Sequence, residues 1–292
     1  MLNIYQQIQI NKTKSNLVIA LFIIFISLLG YSLVCFFDLD YISLFFIFFF
    51  SLASSISAYF YGDQLVLKIN HAQPAQRQNY FDYYTSVENL SLVSQIPMPK
   101  IYVINSPASN AFATGRDPKH ASICVTSGLL KQLNRSELEA VLAHELSHVK
   151  NYDIRLMTIV SILVALILNL TRHFPIRNQK RDKDNDSSSN LITLLSLIFI
   201  LISPLIATLV KLAISRRREY LADASAVKLT RQPQALIDAL TKIANNHKHF
   251  TQASTATASL YIHNPFNTSK FNSLFSTHPP IQKRIEALQK ML

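Results

Sequence analysis

The sequence predicts an α+β, mainly α-helical membrane protein, with about four transmembrane helices and a small strand-bearing domain. Three observations carry this expectation. Two uncharged runs are each long enough to cross a bilayer, a His-Glu-Leu-Ser-His stretch follows a helical apolar period, and two short β-branched runs precede it. Composition agrees, since only 15% of the 292 residues are charged and 49% are hydrophobic, where soluble domains carry about 25% charged residues.

The first unit, 1–61, is a hairpin of spans. Leu17 to Phe37 and Tyr41 to Tyr61 are each 21 residues without a charge, and roughly 20 apolar residues in a helix cross a hydrocarbon core. The first run is too long for a signal-peptide core and has no small-residue cleavage site after it, so it is read as retained. The turn falls at Asp38-Leu39-Asp40.

The second unit, 62–154, holds the strands. "KIYVI" (Lys100 to Ile104) and "SICVT" (Ser122 to Thr126) are rich in β-branched and aromatic residues. A helix is expected next, because Ser136-Glu137-Leu138-Glu139 has a capping-box pattern with serine as N-cap, and Leu138, Val141, Leu142 and Leu146 keep an apolar helical period. His144 and His148 then stand one turn apart on one face. That spacing lets two imidazoles take adjacent corners of a tetrahedral zinc site, with Glu145 placed to take a proton from bound water. By composition alone, roughly 0.006 such matches would arise by chance in this chain.

The third unit, 155–213, is a second apolar hairpin. Its first arm has 16 uncharged residues between Arg155 and Arg172, about 24 Å of helix, which either spans with the help of its flanking arginines or forms a re-entrant or interfacial hairpin. Its second arm, Leu191 to Val210, has 20 residues interrupted by Pro204, and proline is tolerated in membrane helices. The linking segment Arg177 to Asn190 reads as a solvated loop.

The last unit, 214–292, supplies the third ligand. A catalytic zinc takes three protein ligands and keeps one position open. Glu139 is assigned to the cap, Glu137 to the favourable helix N-terminus, and Glu88 and Glu286 to solvated helix faces, which leaves Glu219. Asp223 follows at i+4, where a carboxylate can take the second ring N–H of a ligand histidine. "QALIDALTKIA" and "IQKRIEALQKML" read as amphipathic closing helices.

The formal net charge is +11. The basic residues cluster beside apolar runs, where they meet anionic headgroups, and no basic helix or aromatic RNA-binding signature is present, so nucleic acid is not expected as a partner. Nine lysines and arginines near the segment ends (Lys12, Lys14, Lys68, Lys150, Arg155, Lys211, Arg216, Arg217 and Arg218) fall on one side. Five fall on the other, Arg172, Arg177, Lys180, Arg181 and Lys183. The majority puts the histidine helix on the cytoplasmic side of a multi-pass inner-membrane protein. Cys35 and Cys124 suggest neither a disulfide framework nor a zinc knuckle.

Five stretches, in order, resemble the HtpX-type membrane zinc metalloproteases, relatives of the CAAX prenyl proteases and more distantly of thermolysin-like gluzincins. They are "NAFATG" (Asn110 to Gly115), "VTSGLL" (Val125 to Leu130), "LAHELSHVKNYD" (Leu142 to Asp153), "RRREYLADASAV" (Arg216 to Val227) and "STHPPIQKRIEAL" (Ser276 to Leu288). The resemblance implies a small zincin-type catalytic domain with one Zn2+ per chain, held by His144, His148 and Glu219. Glu145 would be the general base and Asp223 the partner of a ligand histidine. "NAFATG" would be an edge strand that takes substrate as an added strand, with Asn110 and Ala111 as backbone contacts. His278 and Arg284 have the spacing of a pair that supports the tetrahedral intermediate in the CAAX relatives, although His278 can equally be a residue at a helix start. Asp153 matches the family pattern or is simply an N-cap. The implied activity is cleavage of damaged or misassembled membrane proteins or unfolded polypeptides at the bilayer. The alternatives are a processing peptidase of the CAAX type and a zinc-binding adaptor without turnover.

Overall fold

The computed structural model describes residues 4–37, 40–173, 216–246, 254–264 and 279–292. The second arm of the expected apolar hairpin, the linking loop and His278 lie outside the described residues. Two helices open the chain, α1 (Ile4–Phe37) and α2 (Ile42–Ile69). Then come β1 (Gln73–Pro74), α3 (Phe81–Ser94), β2 (Lys100–Ile104), β3 (Ala111–Gly115), β4 (Ala121–Thr126) and α4 (Ser127–Gln132). The histidine helix is α5 (Arg135–Lys150), followed by α6 (Asp153–His173), α7 (Arg216–Thr230), α8 (Pro233–Ala244) and α9 (Ile281–Gln289). Both strands read from β-branched content are present, and the protein is mainly helical with one small sheet.

The sheet has the order β1-β2-β4-β3, with β2 parallel to β4 and both outer strands antiparallel to their neighbours. β3, the "NAFATG" strand, is therefore an edge. Side chains alternate across the pleat. Ile101, Val103, Ala111, Ala113, Ile123 and Val125 face a core shared with α3, α5, α8 and α9. Ile104, Phe112 and Cys124 face a second core built with α1, α2 and α6. The sheet thus lies between the histidine helix and the membrane-side helices, and both its faces are covered.

Two described helices are long and apolar enough to cross a membrane, Ile8–Leu28 within α1 and Ile42–Ile69. Their outward faces carry exposed Leu17, Ile24, Leu28, Phe45, Phe46, Phe49 and Phe50, a lipid-facing pattern and not a soluble one. A third crossing arises only if α5 and the Asp153–Asn169 part of α6 form one span bent by 84°. Two to three crossings therefore stand among the described residues, and the expected fourth, Leu191 to Val210, lies outside them. The apolar residues of α6 are largely engaged in packing. Leu156, Ile159, Val160, Leu163, Val164 and Ile167 are buried in the second core instead of facing lipid.

The start of α5 also differs from the expectation. Its N-cap is Asn134, whose side chain accepts from the Glu137 N–H at 2.9 Å while Glu137 Oε2 accepts from the Asn134 N–H at 2.9 Å. The capping box therefore lies two residues earlier than Ser136–Glu139. Lys242 on α8 pairs with Glu137 at 2.7 Å, and Glu139 turns instead to Arg135 and Ser86. These outside contacts favour the earlier of two overlapping signals.

At Gly62 the membrane hairpin packs directly against α6. A Cβ built there would stand 2.8 Å from Thr158 Cγ2 on α6. Thr158 cannot swing aside freely, because its hydroxyl accepts from the Gly115 N–H at 3.1 Å and shares a 2.8 Å bond with Thr114. Gly62→Ala is therefore expected to destabilise the protein by about 1–3 kcal/mol as overpacking. Adding Thr158→Ser, which removes the methyl and keeps the hydroxyl, should recover most of the loss in thermal unfolding of detergent-solubilised protein.

Candidate active site and metal centre

The site is built on the buried face of α5 and the first turns of α7. His144, Glu145 and His148 are all nearly inaccessible, and so are Glu219 and Asp223. Glu219 and Asp223 stand four residues apart, so both reach the same side of α7.

Each histidine has one ring nitrogen claimed by a carboxylate. His144 Nδ1 lies 2.9 Å from Asp223 Oδ1, and His148 Nδ1 lies 3.0 Å from Asp153 Oδ2. Arg284 Nη2 also approaches His144 Nδ1, at 3.3 Å, but it already donates to Asp223 Oδ1 at 2.6 Å. The ring proton therefore belongs between His144 and the anionic carboxylate. With both N–H groups on Nδ1, both Nε2 atoms present lone pairs. These two atoms face each other at 3.2 Å, and Glu219 brings its carboxylate oxygens to 3.6 Å from one and 3.5 Å from the other.

Three acceptors turned on one point repel unless a cation joins them. His144, His148 and Glu219 each offer a ligand atom within 4.8 Å of the others. A tetrahedral zinc with bonds of about 2.0–2.1 Å sets its ligand atoms roughly 3.3–3.4 Å apart, close to the separations seen. The residues therefore fit such an ion, and the structure brings together the three ligands read from the sequence. Glu145 sits beside them. Burial pushes its carboxyl above the ordinary value, against the pull of the His144 and His148 imidazoles.

Behind the ligands lies a layer of charge. Arg284, completely buried, donates through Nε to Asp223 Oδ2 at 2.9 Å and through Nη2 to Oδ1, and its Nη1 lies 3.7 Å from Glu219 Oε2. Burial alone would raise the Asp223 carboxyl, but the Arg284 charge and the His144 bond hold it well below the usual range. Asp153 has a larger part than its place at the start of α6 suggests. Besides orienting His148, it accepts from Arg218 Nη1 at 3.2 Å and from Asn11 Nδ2 at 2.7 Å. The available signal was an aspartate five residues beyond a ligand histidine, across the break between α5 and α6.

Ala111 begins the edge strand and Asn110 immediately precedes it, yet their polar groups are engaged. The Ile262 N–H donates to the Ala111 carbonyl at 2.9 Å. Asn110 Nδ2 donates to the His263 carbonyl at 2.8 Å, and the His263 N–H donates to Asn110 Oδ1 at 3.3 Å. The run Tyr261–His263 thus lies beside the start of β3. It is anchored by the Tyr261 hydroxyl on Asn70 Oδ1 at 2.9 Å and by Tyr261 edge-on to Phe112.

The sequence model of Peptidase family M48 matches residues 78–292. The chain belongs to Peptidase family M48. The matched region contains both α5 and α7, and hence every metal-site residue named above except those α1 contributes. Among curated relatives, a Protease HtpX homolog of Dictyoglomus turgidum is 42% identical over 291 residues, covering 98% of this chain and 94% of that one. Another, from Lactobacillus helveticus, is 42% identical over 298 residues, covering 99% and 100%. The resemblance to HtpX-type proteases is thereby borne out. Among solved structures, the crystal structure of S. mikatae Ste24p shares the fold with a TM-score of 0.51 at 22% identity, over 96% of this chain and 66% of that one.

In this M48 peptidase, the Arg284–Asp223 pair should support stability as well as chemistry. Arg284→Leu leaves a buried carboxylate without its cation and should cost about 3–5 kcal/mol. The double replacement Arg284→Leu with Asp223→Leu should recover part of that loss when metal-free protein is unfolded in detergent. A single variant as stable as wild type would contradict this account.

Proposed function

We propose that this chain is a membrane-bound zinc endopeptidase that cuts cytoplasmic or juxtamembrane segments of damaged or misassembled membrane proteins. The observation that carries the reading is the convergence of two imidazole lone pairs and the Glu219 carboxylate beside Glu145. A zinc ion held there supplies Lewis acidity toward the scissile carbonyl and brings the pKa of a bound water toward about 7.

The protein's own groups do the rest. Glu145 takes the proton from the attacking water and passes it to the leaving amine nitrogen, so no covalent acyl intermediate forms. Asp223 and Asp153 keep His144 and His148 in the tautomer that turns Nε2 inward. Arg284 is expected from the resemblance to act with His278 on the tetrahedral intermediate. Its contacts with Asp223 and Glu219 support a bracing role, and we assign that as its main contribution. The substrate strand would add along β3, taking over from Ile262 and His263 the bonds to Ala111 and Asn110. Recognition through backbone groups suits varied, unfolded substrates.

The excess of lysine and arginine beside the histidine helix supports a site on the cytoplasmic side of the inner membrane. Glu137, Glu139 and Lys150 on α5 support a position at the lipid surface, because such charges are costly at bilayer depth. The damaged or misassembled substrates are what the resemblance to HtpX-type proteases implies.

Purified protein in detergent, loaded with zinc, should cut an unfolded membrane-protein substrate. Glu145→Gln should lower the rate by about 10²–10⁴-fold while still binding one zinc. A Glu145→Gln variant that cleaves normally would refute the assignment of the base. Removing the metal with a chelator should abolish cleavage, and zinc should restore it. His144→Ala and Glu219→Ala should each fail to retain zinc in metal analysis.

A further inference from the structure

The Asp153 carboxylate, 3% exposed, is the point where four helices meet. It begins α6, and its Oδ2 orients His148 of α5. Its Oδ1 accepts from Arg218 of α7 and from Asn11 of α1. The shorter of those two bonds, at 2.7 Å, comes from a neutral amide in the first membrane helix. Asn11 is itself 4% exposed, so its polar head must be satisfied inside the protein. The same Nδ2 also donates to the Asn151 carbonyl at 2.9 Å, one of the carbonyls left open at the end of α5. Both amide hydrogens are therefore used, and both neighbours are acceptors, which fixes the nitrogen on this side. Ser15, Val18 and Phe22, further along the same face, are also buried and keep α1 seated.

This arrangement ties the corner between α5 and α6 to the membrane hairpin. Without the Asn11 amide, Asp153 Oδ1 would lose its nearest donor, and the carboxylate could rotate away from His148. We propose that Asn11 is a positioning residue of the metal centre. Acting through Asp153, it makes zinc affinity depend on the seating of the first membrane helix. The inference rests on the reading that His144, His148 and Glu219 bind zinc.

The test is zinc affinity of the full-length protein in detergent, measured by competition with a chromophoric chelator. Replacing a group that orients a metal ligand costs roughly 10–100-fold in affinity. Asp153→Ala is expected within that range, and Asn11→Ala near its lower end, about tenfold. Asn11→Leu, close in size to the amide, should show the same loss while preserving the packing of α1. In an Asp153→Ala background, Asn11→Ala should add less than about twofold, because the carboxylate it acts through is gone. If Asn11→Ala and Asn11→Leu both bind zinc within twofold of wild type, the inference is overturned while the metal site stands. The same holds if their loss is undiminished in the Asp153→Ala background. Wild-type protein that takes up no zinc would overturn the metal reading, and this inference with it.

Discussion

Two imidazoles with their lone pairs turned toward each other at 3.2 Å are an arrangement that a folded chain must enforce. The enforcement comes from behind. Asp223 and Asp153 each claim an Nδ1 proton, and a neutral histidine cannot then turn its proton inward without giving up a buried bond. The carboxylates are buried in turn and need donors of their own. Arg284 serves Asp223 with two bonds, and Arg218 and Asn11 serve Asp153. The site is thus a set of nested requirements, each met by a residue from a different helix.

Those requirements explain the architecture around them. α5 can present His144 and His148 only if α7 crosses close enough to bring Glu219 and Asp223 to the same face, and α9 must lie behind α7 for Arg284 to reach Asp223. α6 must begin within a few residues of His148, which the corner at Tyr152 allows by taking a left-handed conformation with φ 60°. Such a conformation is uncommon for a residue with a side chain. Lys12 of α1 lies over the Tyr152 ring at 4.5 Å, so the membrane helix touches the corner at its ring, at its carboxylate and at the Asn151 carbonyl. The abrupt turn is also why α6 does not extend α5 straight into the bilayer.

Much of this was legible in the sequence because its signals are local. The i, i+4 spacing of His144 and His148, and of Glu219 and Asp223, places partners on shared helix faces before any fold is known. The two uncharged runs and the two β-branched strands are equally local. What escaped depended on packing between distant segments. Ser136 and Asn134 both head a pattern with glutamate three residues on, and only Lys242, more than a hundred residues away, decides for Glu137. Asp153 could be an N-cap by its position alone, and its bonds to His148, Arg218 and Asn11 exist only after four helices come together. The apolar run of α6 reads either as a span or as a re-entrant arm, because apolar side chains buried in protein and those facing lipid read alike in one dimension. The grip of Ile262 and His263 on Ala111 and Asn110 has no local signature at all.

The charges of the cluster supply a separate argument for the ion. Glu145, Glu219, Asp223 and Asp153 are four buried carboxylates, faced by two guanidiniums, Arg284 and Arg218. With neutral imidazoles these side chains sum to minus two, and with the Lys14 ammonium near Asp153 the balance stays negative, which favours a cation. Burial alone would pull the His148 imidazolium down, yet the Asp153 bond and the nearby Glu219 and Glu145 charges outweigh it and carry the pKa up to about 9. An ion entering between the two Nε2 atoms needs His148 neutral and therefore displaces that proton. The same shortage of positive charge that raises the His148 pKa makes the site attractive to a dication.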